Sequence, residues 1–300
     1  MRYVGTKMPY LKKKTINGQE YYYLVKSIRT VGKIKKIVKY LGKQKPTKAE
    51  MEKFNVSVNN LLSGRDVKCI ENIKQRFSKD YKKLPTTAKD KFIKDFLVKF
   101  TYNTTVIEGS TLTLKQTKMI LIDQIMPEGK TRREVKEAEN HVEAFNYMLA
   151  WNKELSMDFI QELHSILMNG ISEYAGKIRE HNVAIMGSYF RPPKHEKLDI
   201  ELKAFFEWYE QAKVLHPFEL SCLVHLKLVT IHPFSDGNGR MSRLLQNFIL
   251  KKHNYPMIDI RNEAREEYYE AEEQYQMHDK EKPFVEFCLR QYVEEYKEFL

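Results

Sequence analysis

The chain has 300 residues, of which 42% are hydrophobic, and a formal net charge of +11, a composition that supports one large domain or two smaller ones. No apolar stretch approaches the ~20 residues of a membrane span, and the first residues, MRYVGTKMPYLKKKT, lack the apolar segment of a signal peptide. The three scattered cysteines, Cys69, Cys222 and Cys288, predict free thiols in a reducing cytoplasm rather than disulfides or a zinc site.

The positive charge is concentrated at the N-terminus, where residues 1–50 carry twelve Lys and two Arg against two Glu. Apolar and basic residues alternate from Tyr21 to Lys43 after an Asn17–Gly18 turn signal, which predicts a small antiparallel meander. We therefore predict a basic β-meander module over residues 1–45. Its charge fits nucleic acid or another polyanion. The alternatives are a solvated lysine-rich face, a target-docking module and a dimerisation module.

The rest of the chain has helical patterning. Residues 46–94 are predicted to form a helical linker that starts at Pro46–Thr47 and is interrupted at LPTTAKD, from Leu84 to Asp90. Beyond about residue 90, apolar residues recur at helical spacing almost to the end. The exception is HNVAIMGSYFRPP (181–193), whose alternation around Gly187 predicts a short β-hairpin. The predicted fold is mainly α with this hairpin, preceded by the basic β segment.

The stretch IHPFSDGNGRMSRLL, from Ile231 to Leu245, connects two apolar helices. Pro233 favours an extended conformation at His232, so the first helix is predicted to end there. The apolar residues after the loop recur at helical spacing, which places SDGNG at a helix N-terminus. Free backbone N–H groups, glycines and the paired Arg240 and Arg243 then predict a phosphate cradle.

Two further residues of this loop suit phosphoryl chemistry. His232 can accept a proton from an attacking hydroxyl near neutral pH, and Asp236 is suited to a Mg²⁺ ion that bridges two phosphates. Taken singly, each also fits a helix cap or an ordinary turn. A metal hydrolase that uses His216, His225 and His232 is a further alternative, although their spacing does not place them on one helical face.

The residues HPFSDGNGRMSR, from His232 to Arg243, resemble the Fic family signature HPFx(D/E)GNGRxxR at every fixed position. The segment YAGKIREHNVAIMG, from Tyr174 to Gly187, resembles the family's approach to its flap hairpin, with Gly176 and Arg179 in place. The resemblance covers about residues 95–290 and leaves 291–300 as the end of a C-terminal helix. It implies an all-α Fic domain that transfers AMP from ATP to a Tyr, Thr or Ser hydroxyl of a protein, possible self-modification included.

The resemblance also implies roles for individual residues. His232 would be the base, Asp236 would hold Mg²⁺, and Arg243 would pair with the γ-phosphate. The anion hole would be formed by Gly237, Asn238, Gly239 and Arg240. The adenine side would carry Tyr268 and Tyr269, for which aromatic packing is the alternative, and the sequence departs from the family there at Glu272 and Gln276. The flap, through Val183, Ile185, Gly187 and Tyr189, would hold the target by β-strand addition.

A second motif concerns regulation. YNTTVIEGSTLTL, from Tyr102 to Leu114, resembles the family's inhibitory motif (S/T)xxxE(G/N), with Thr104, Glu108 and Gly109 in register and an inhibitory helix near 101–109. Glu108 is expected to form a bidentate pair with Arg243 and so to compete with the nucleotide. The leading hypothesis is an autoinhibited protein adenylyltransferase.

The alternatives concern other activities and other partners. One is a DNA-associated regulator that uses the basic N-terminal segment, with the Fic core as a nucleotide sensor. Others are transfer of another nucleoside monophosphate or of phosphocholine, and removal of AMP from a modified target. A homo-oligomer remains open as well.

Overall fold

The computed structural model describes residues 10–16, 18–30, 33–45, 47 and 61–300. In these residues the protein is mainly helical, with ten α-helices and one three-stranded antiparallel sheet, as the sequence predicts. The helices are α1 (Gly64–Lys83), α2 (Thr86–Ile107), α3 (Leu114–Leu121), α4 (Arg132–Ala150), α5 (Met157–Leu167), α6 (Leu198–Ala212), α7 (Pro217–Ile231), α8 (Asn238–Lys252), α9 (Arg265–His278) and α10 (Lys282–Glu295). Short 3₁₀ turns are found at His195–Lys197, Asn262–Ala264 and Lys297–Phe299.

The N-terminal sheet is a simple meander. Its strands, β1 (Tyr10–Ile16), β2 (Gln19–Thr30) and β3 (Lys33–Gly42), pair in chain order. Lys12 lies opposite Tyr23, and Tyr23 lies opposite Tyr40, with a bulge in the register between Tyr22 and Tyr23. The alternating pattern of the sequence is therefore present in the structure as paired strands.

The helical segment after the sheet belongs to the main core. Helix α1 starts with a capping box between Ser63 and Asp66, and its Ile70 and Ile73 are fully buried in the core that α7 and α8 share. Pro85 caps the start of α2, which agrees with the predicted interruption. Since α2 continues through residues 94 and 95, the predicted domain boundary falls inside a helix. Most of the predicted helix start near Thr47 lies outside the described residues.

Helices α7 and α8 form the centre of the fold and pack against each other along their length. Helix α7 starts at Pro217, with His216 as its N-cap, and is buried on nearly every side. Such all-round burial follows from its almost continuous apolar sequence. Helix α8 is buried over most of its length as well. The loop that connects them, residues 232–237, is thus supported on both sides by rigid packed helices.

The predicted hairpin at 181–193 is wrong in detail. These residues, all within the described part of the chain, contain a turn at Met186–Gly187 but no paired strands. The Ser188 N–H donates to the Ile185 carbonyl at 3.2 Å, and Gly187 has φ of 81°. Side chains hold the ends of the segment instead of a strand ladder, and the prolines at 192 and 193 have no N–H to donate.

Two simpler expectations concern the cysteines and the membrane. Cys69, Cys222 and Cys288 are free, as predicted. Within the part of the chain that the structure describes, none of the helices combines the length and apolarity that a membrane crossing requires.

Candidate active site

His232 ends α7 in a left-handed conformation, with φ of 53° and ψ of 58°. The extended conformation expected from the following proline is therefore wrong, because proline disfavours only the right-handed helical region. Neighbouring contacts hold this strained backbone. The His232 N–H donates to the Leu228 carbonyl at 3.0 Å, and the His232 carbonyl accepts from Arg179 Nε at 2.7 Å.

The His232 ring is arranged as a neutral base. Its Nδ1 lies 3.1 Å from the Val229 carbonyl oxygen, and because a carbonyl only accepts, this contact assigns the proton to Nδ1 and leaves a lone pair on Nε2. Burial lowers the pKa of His232, the hydrogen bond to Val229 raises it, and Arg179 lowers it, for a net decrease from 6.5. His232 is therefore neutral at physiological pH.

The loop after His232 is closed by its own side chains. Asn238 Oδ1 accepts from the Phe234 N–H at 3.0 Å, and Asn238 Nδ2 donates to the Phe234 carbonyl at 2.8 Å. The Asn238 side chain therefore shapes the loop, and only its backbone N–H can serve an anion. Gly237 has φ of 78°, and a Cβ there would lie 2.9 Å from Met168 Sδ. This position therefore requires glycine.

His164 on α5 supports the loop, although it lies outside the sequence motif. Its Nδ1 accepts from the Gly176 N–H at 2.9 Å, so its Nε2 carries the proton and donates to the Asp236 carbonyl at 3.0 Å. The ring stacks on Phe234 with centroids 3.6 Å apart. Burial lowers the pKa of His164 to about 4. Since His164 lies far from the motif in the sequence, only the fold reveals this contact.

Arg240 provides unused hydrogen-bond donors. Its side chain is buried, and its Nε and Nη1 atoms have no hydrogen-bond partner among the described residues. Its Nη1 lies 3.7 Å from Glu137 Oε1, and its Nη2 lies 3.5 Å from Asp236 Oδ1. Buried donors without partners destabilise a protein by about 1–3 kcal/mol each. An anion bound at the start of α8 would satisfy them.

Asp236 lies at the mouth of the site with its side chain 48% exposed. Its Oδ1 accepts from the Gly237 N–H at 2.6 Å, and its Oδ2 accepts from Arg133 Nη2 at 3.3 Å. No cluster of three or more candidate metal ligands is present in the described residues. The single carboxylate of Asp236 nevertheless fits a Mg²⁺ ion, because Mg²⁺ in proteins is often held by one carboxylate together with water and phosphate oxygens.

Arg243 is held by the end of α2, although it is 139 residues from Thr104 in sequence. The side chain is only 2% exposed. Its Nε donates to Thr104 Oγ1 at 2.6 Å, and its Nη2 donates to Glu108 Oε1 at 2.5 Å. The contact uses one carboxylate oxygen and is not the bidentate pair predicted, because Thr104 and the Tyr268 hydroxyl, 3.1 Å from Nη1, take the other donors.

The Glu108 carboxylate also lies against the first turn of α8. A Cβ added at Gly239 would overlap with Glu108 Oε1. The negative group therefore lies close to the helix N-terminus, where the dipole favours an anion. Glu108 is the C-cap residue of α2, and Gly109, with φ of 102°, allows the sharp turn that follows it. The structure thus brings Thr104, Glu108 and Arg243 together at the predicted anion site.

The two tyrosines of α9 have different surroundings. Tyr268 is buried behind Arg243, its hydroxyl lies 3.0 Å from His225 Nε2, and its ring packs against Phe284 and Phe287. Tyr269 donates its hydroxyl proton to the Ile107 carbonyl at 3.0 Å and so fixes the end of α2. The buried Glu272 contacts His225 Nε2 at 3.2 Å. This contact gives the buried carboxylate of Glu272, where the sequence departs from the family, a partner.

The three histidines of the metal-hydrolase alternative do not converge. His216 caps α7 and contacts Glu71 Oε1 at 3.2 Å. His225 is buried between Gln246 and Tyr268, whereas His232 ends the helix. No metal cluster is found among the described residues. This structure therefore gives the alternative no support.

Arg179 connects the predicted flap to the loop that starts at His232. Its Nη1 donates to the His181 carbonyl at 2.9 Å and its Nη2 to the Pro193 carbonyl at 2.6 Å, while its backbone N–H donates to the Pro233 carbonyl at 3.0 Å. Arg179 thus links both ends of the flap to Pro233, the residue after His232. Gly187 and Tyr189 lie at the tip, where Tyr189 is 88% exposed. Val183 and Ile185, between the fixed end and the tip, are half-buried.

Known proteins are similar to this chain in sequence. Residues 154–250 match the family model described as Fic/DOC family. The protein adenylyltransferase Fic of Nematostella vectensis is 35% identical over 205 residues, which cover 66% of this chain and 47% of the relative. The Caenorhabditis elegans protein adenylyltransferase fic-1 is 34% identical over 192 residues, covering 61% of this chain and 37% of the relative. This chain thus spans less than half the length of these curated relatives.

The fold agrees with solved structures. A Fic domain containing signaling protein from Bacteroides thetaiotaomicron superposes with a TM-score of 0.69 and 26% identity, covering 76% of this chain and 96% of that one. Fic-1 from C. elegans, residues 134–508, gives a TM-score of 0.69 and 28% identity, covering 85% of this chain and 77% of that one.

Proposed function

The chain belongs to the Fic family, and we propose that it is a protein adenylyltransferase that its own Glu108 inhibits. The substrate pair is ATP and a hydroxyl group of a protein, which can be the chain itself. One observation carries the inhibitory part of the proposal. The Glu108 carboxylate contacts Arg243 at 2.5 Å and lies against Gly239, at the position where an anionic ligand would bind.

His232 acts as the general base. With Nδ1–H held by the Val229 carbonyl, the Nε2 lone pair accepts the proton of the target hydroxyl. The hydroxyl oxygen then bonds to the α-phosphorus of ATP, the bond from that phosphorus to the bridging oxygen of the β-phosphate breaks, and pyrophosphate leaves. The lowered pKa keeps His232 unprotonated at neutral pH, so that it is ready to accept the proton without prior ionisation.

The start of α8 holds the phosphates. Backbone N–H groups at Asn238 and Gly239 and the unpartnered donors of Arg240 lie at the start of α8, where the helix dipole favours an anion. Asp236 would hold Mg²⁺, which neutralises phosphate charge when bound. Such positioning and charge neutralisation is what phosphoryl-type transfer requires from a protein.

Glu108 inhibits because it and the terminal phosphate need the same guanidinium. Arg243 is buried, so an approaching γ-phosphate can reach its Nη2 only after the Glu108 carboxylate leaves. The contact of Tyr269 with the Ile107 carbonyl holds the end of α2 in place and therefore favours the inhibited arrangement. The exposed flap tip, with Tyr189, would receive the target near His232.

The test is labelling of protein from α-labelled ATP with Mg²⁺. We expect Glu108→Gly to label itself or an added target far more than the native chain, and the double variant Glu108→Gly, His232→Ala to give no labelling. Glu128→Gly, which removes an exposed carboxylate elsewhere, is the matched control and should behave like the native chain. Labelling that persists without His232 contradicts its role as the base.

The same assay separates the other activities. Labelled GTP, UTP and CTP, each as sole donor, show whether transfer depends on the nucleobase of the donor. A phosphocholine donor tests transfer of phosphocholine. Release of AMP from a modified target by the native chain, lost in Glu108→Gln, would instead assign Glu108 to AMP removal. Absence of transfer from every nucleotide in Glu108→Gly would refute the proposed function.

A further inference from the structure

The N-terminal sheet has two chemically different faces. Side chains alternate along a strand, and directly paired residues project to the same side. The pairing therefore defines one face, which we name the tyrosine face. Its members are Tyr10, Lys12, Lys14, Tyr21, Tyr23 and Tyr40. The opposite face carries Lys13, Glu20 and Tyr22.

The rings of the tyrosine face form an accessible platform. The Tyr23 and Tyr40 centroids are 5.2 Å apart, and those of Tyr21 and Tyr40 are 6.3 Å apart. Tyr40 is 53% exposed. Lys14 Nζ lies 5.2 Å from the Tyr23 ring centroid, which places a positive charge beside the aromatic cluster. Val25 on the same side is buried, but its partners on the neighbouring strands, Tyr10 and Val38, are 47% and 54% exposed. Tyr21 and Tyr23 are half-buried.

The two faces also differ in charge. Glu20 is the single acidic residue between Tyr10 and Lys45. It lies on the opposite face, where it pairs with Lys13 and accepts from the Tyr22 hydroxyl at 2.6 Å. On the tyrosine face, Lys12 and Lys14 have no carboxylate partner among the described residues. The positive charge there is consequently not neutralised within the sheet.

We propose that the tyrosine face binds single-stranded nucleic acid, with bases stacked on Tyr23 and Tyr40 and phosphates near Lys12 and Lys14. Exposed aromatic rings on a sheet, next to unpaired positive charge, are the chemistry that binds unstacked bases and the linking phosphates. A duplex keeps its base faces inside the helical stack, so it can use the lysines but not the rings. This binding is separate from the Fic core, whose family match starts at residue 154.

The test is fluorescence anisotropy of the full chain with labelled single strands of about 12 nucleotides, a length within the usual range of such sites. Separate DNA and RNA strands show which sugar is preferred, and binding of either supports the proposal. We expect Tyr40→Ala to weaken binding roughly 5- to 150-fold, the range of lost base stacking. Lys12→Gln and Lys14→Gln should each reduce the slope of log affinity against log salt by about 0.7.

Matched variants on the opposite face provide the control. Lys13→Gln changes the net charge by the same amount as Lys12→Gln, and Tyr22→Ala removes one ring as Tyr40→Ala does. Both should leave affinity and salt slope unchanged. Tyr40→Trp keeps a stacking surface and should restore binding, which excludes misfolding as the cause of the loss.

Four results would overturn the proposal. Three of them are an equal effect of Lys13→Gln, equal affinity for a duplex of the same length, and absence of binding at low salt. The fourth is competition by heparin that equals competition by unlabelled single strand at the same concentration of negative charge, because it would reduce the contact to nonspecific attraction between opposite charges. None of these results bears on labelling from ATP.

Discussion

Replacing Glu108 with Gln removes a negative charge from Arg243 while it preserves the length of the side chain. If the proposed function holds, the terminal phosphate of ATP must displace a 2.5 Å contact between Glu108 Oε1 and Arg243 Nη2 in the native chain. Hydrogen bonds between charged groups contribute about 1.5–3 kcal/mol. Since the Glu108 side chain is 31% exposed, the lower end of that range applies. We therefore expect ATP to bind roughly tenfold more tightly to Glu108→Gln, because about 1.4 kcal/mol corresponds to a tenfold change.

Isothermal titration calorimetry with ATP and Mg²⁺ measures this directly in the His232→Ala background, where the transfer step is blocked. The comparison is between His232→Ala and the double variant that adds Glu108→Gln. Glu128→Gln in the same background is the control, because it removes an exposed carboxylate elsewhere on the chain. Unchanged affinity in the Glu108 double variant, or an equal gain in the control, would refute competition for Arg243.

Tyr269→Phe loses the hydrogen bond to the end of α2, so labelling should exceed that of the native chain but stay below that of Glu108→Gly; native-like labelling would show that the hydroxyl does not support inhibition. Gly237→Ala should lower Tm more than Gly129→Ala, because both have positive φ but only the added Cβ at Gly237 meets another atom. Labelling by Glu108→Gly should fall at acid pH with a midpoint below 6.5, because His232 must be unprotonated to act as the base and burial lowers its pKa. A midpoint above 6.5 would contradict this prediction. Burial lowers the pKa of His141 to about 3. As pH falls from 6.5 towards 3, the unfolded chain therefore binds a proton at this histidine that the folded chain does not bind, so Tm should fall over that window. In His141→Gln the fall in Tm should be less steep.

Much of the site follows from residues that are close in sequence. The apolar runs on either side of the glycine-rich loop predicted both helices, and the loop residues predicted the helix start. The motif could not reveal His164, because its contact with the Asp236 carbonyl spans 72 residues and depends on how α5 packs. The side-chain role of Asn238 was missed for another reason. An Asn-Gly pair in a turn carries no information on which backbone groups its amide will bind.

Two errors came from local rules that tertiary contacts override. Proline after His232 predicted an extended residue, but the hydrogen bonds at its N–H and carbonyl favour the left-handed conformation. Alternation around Gly187 predicted paired strands, but Arg179 holds both ends of that segment through single carbonyl contacts. The division into a helical linker and a Fic domain stays a prediction, and the structure adds that Ile70 and Ile73 of that segment lie in the main core.

The fixed ends of the flap have a consequence for how this protein can change over evolution. Arg179 binds the His181 and Pro193 carbonyls and the backbone beside His232, so the geometry of the base depends on the two ends and not on the residues between them. Substitutions at the exposed tip can therefore accumulate without disturbing catalysis. Selection of new targets and preservation of the chemistry are therefore separable traits, and the exposed side chains of Met186 and Tyr189 at the tip are where such divergence meets the least structural constraint.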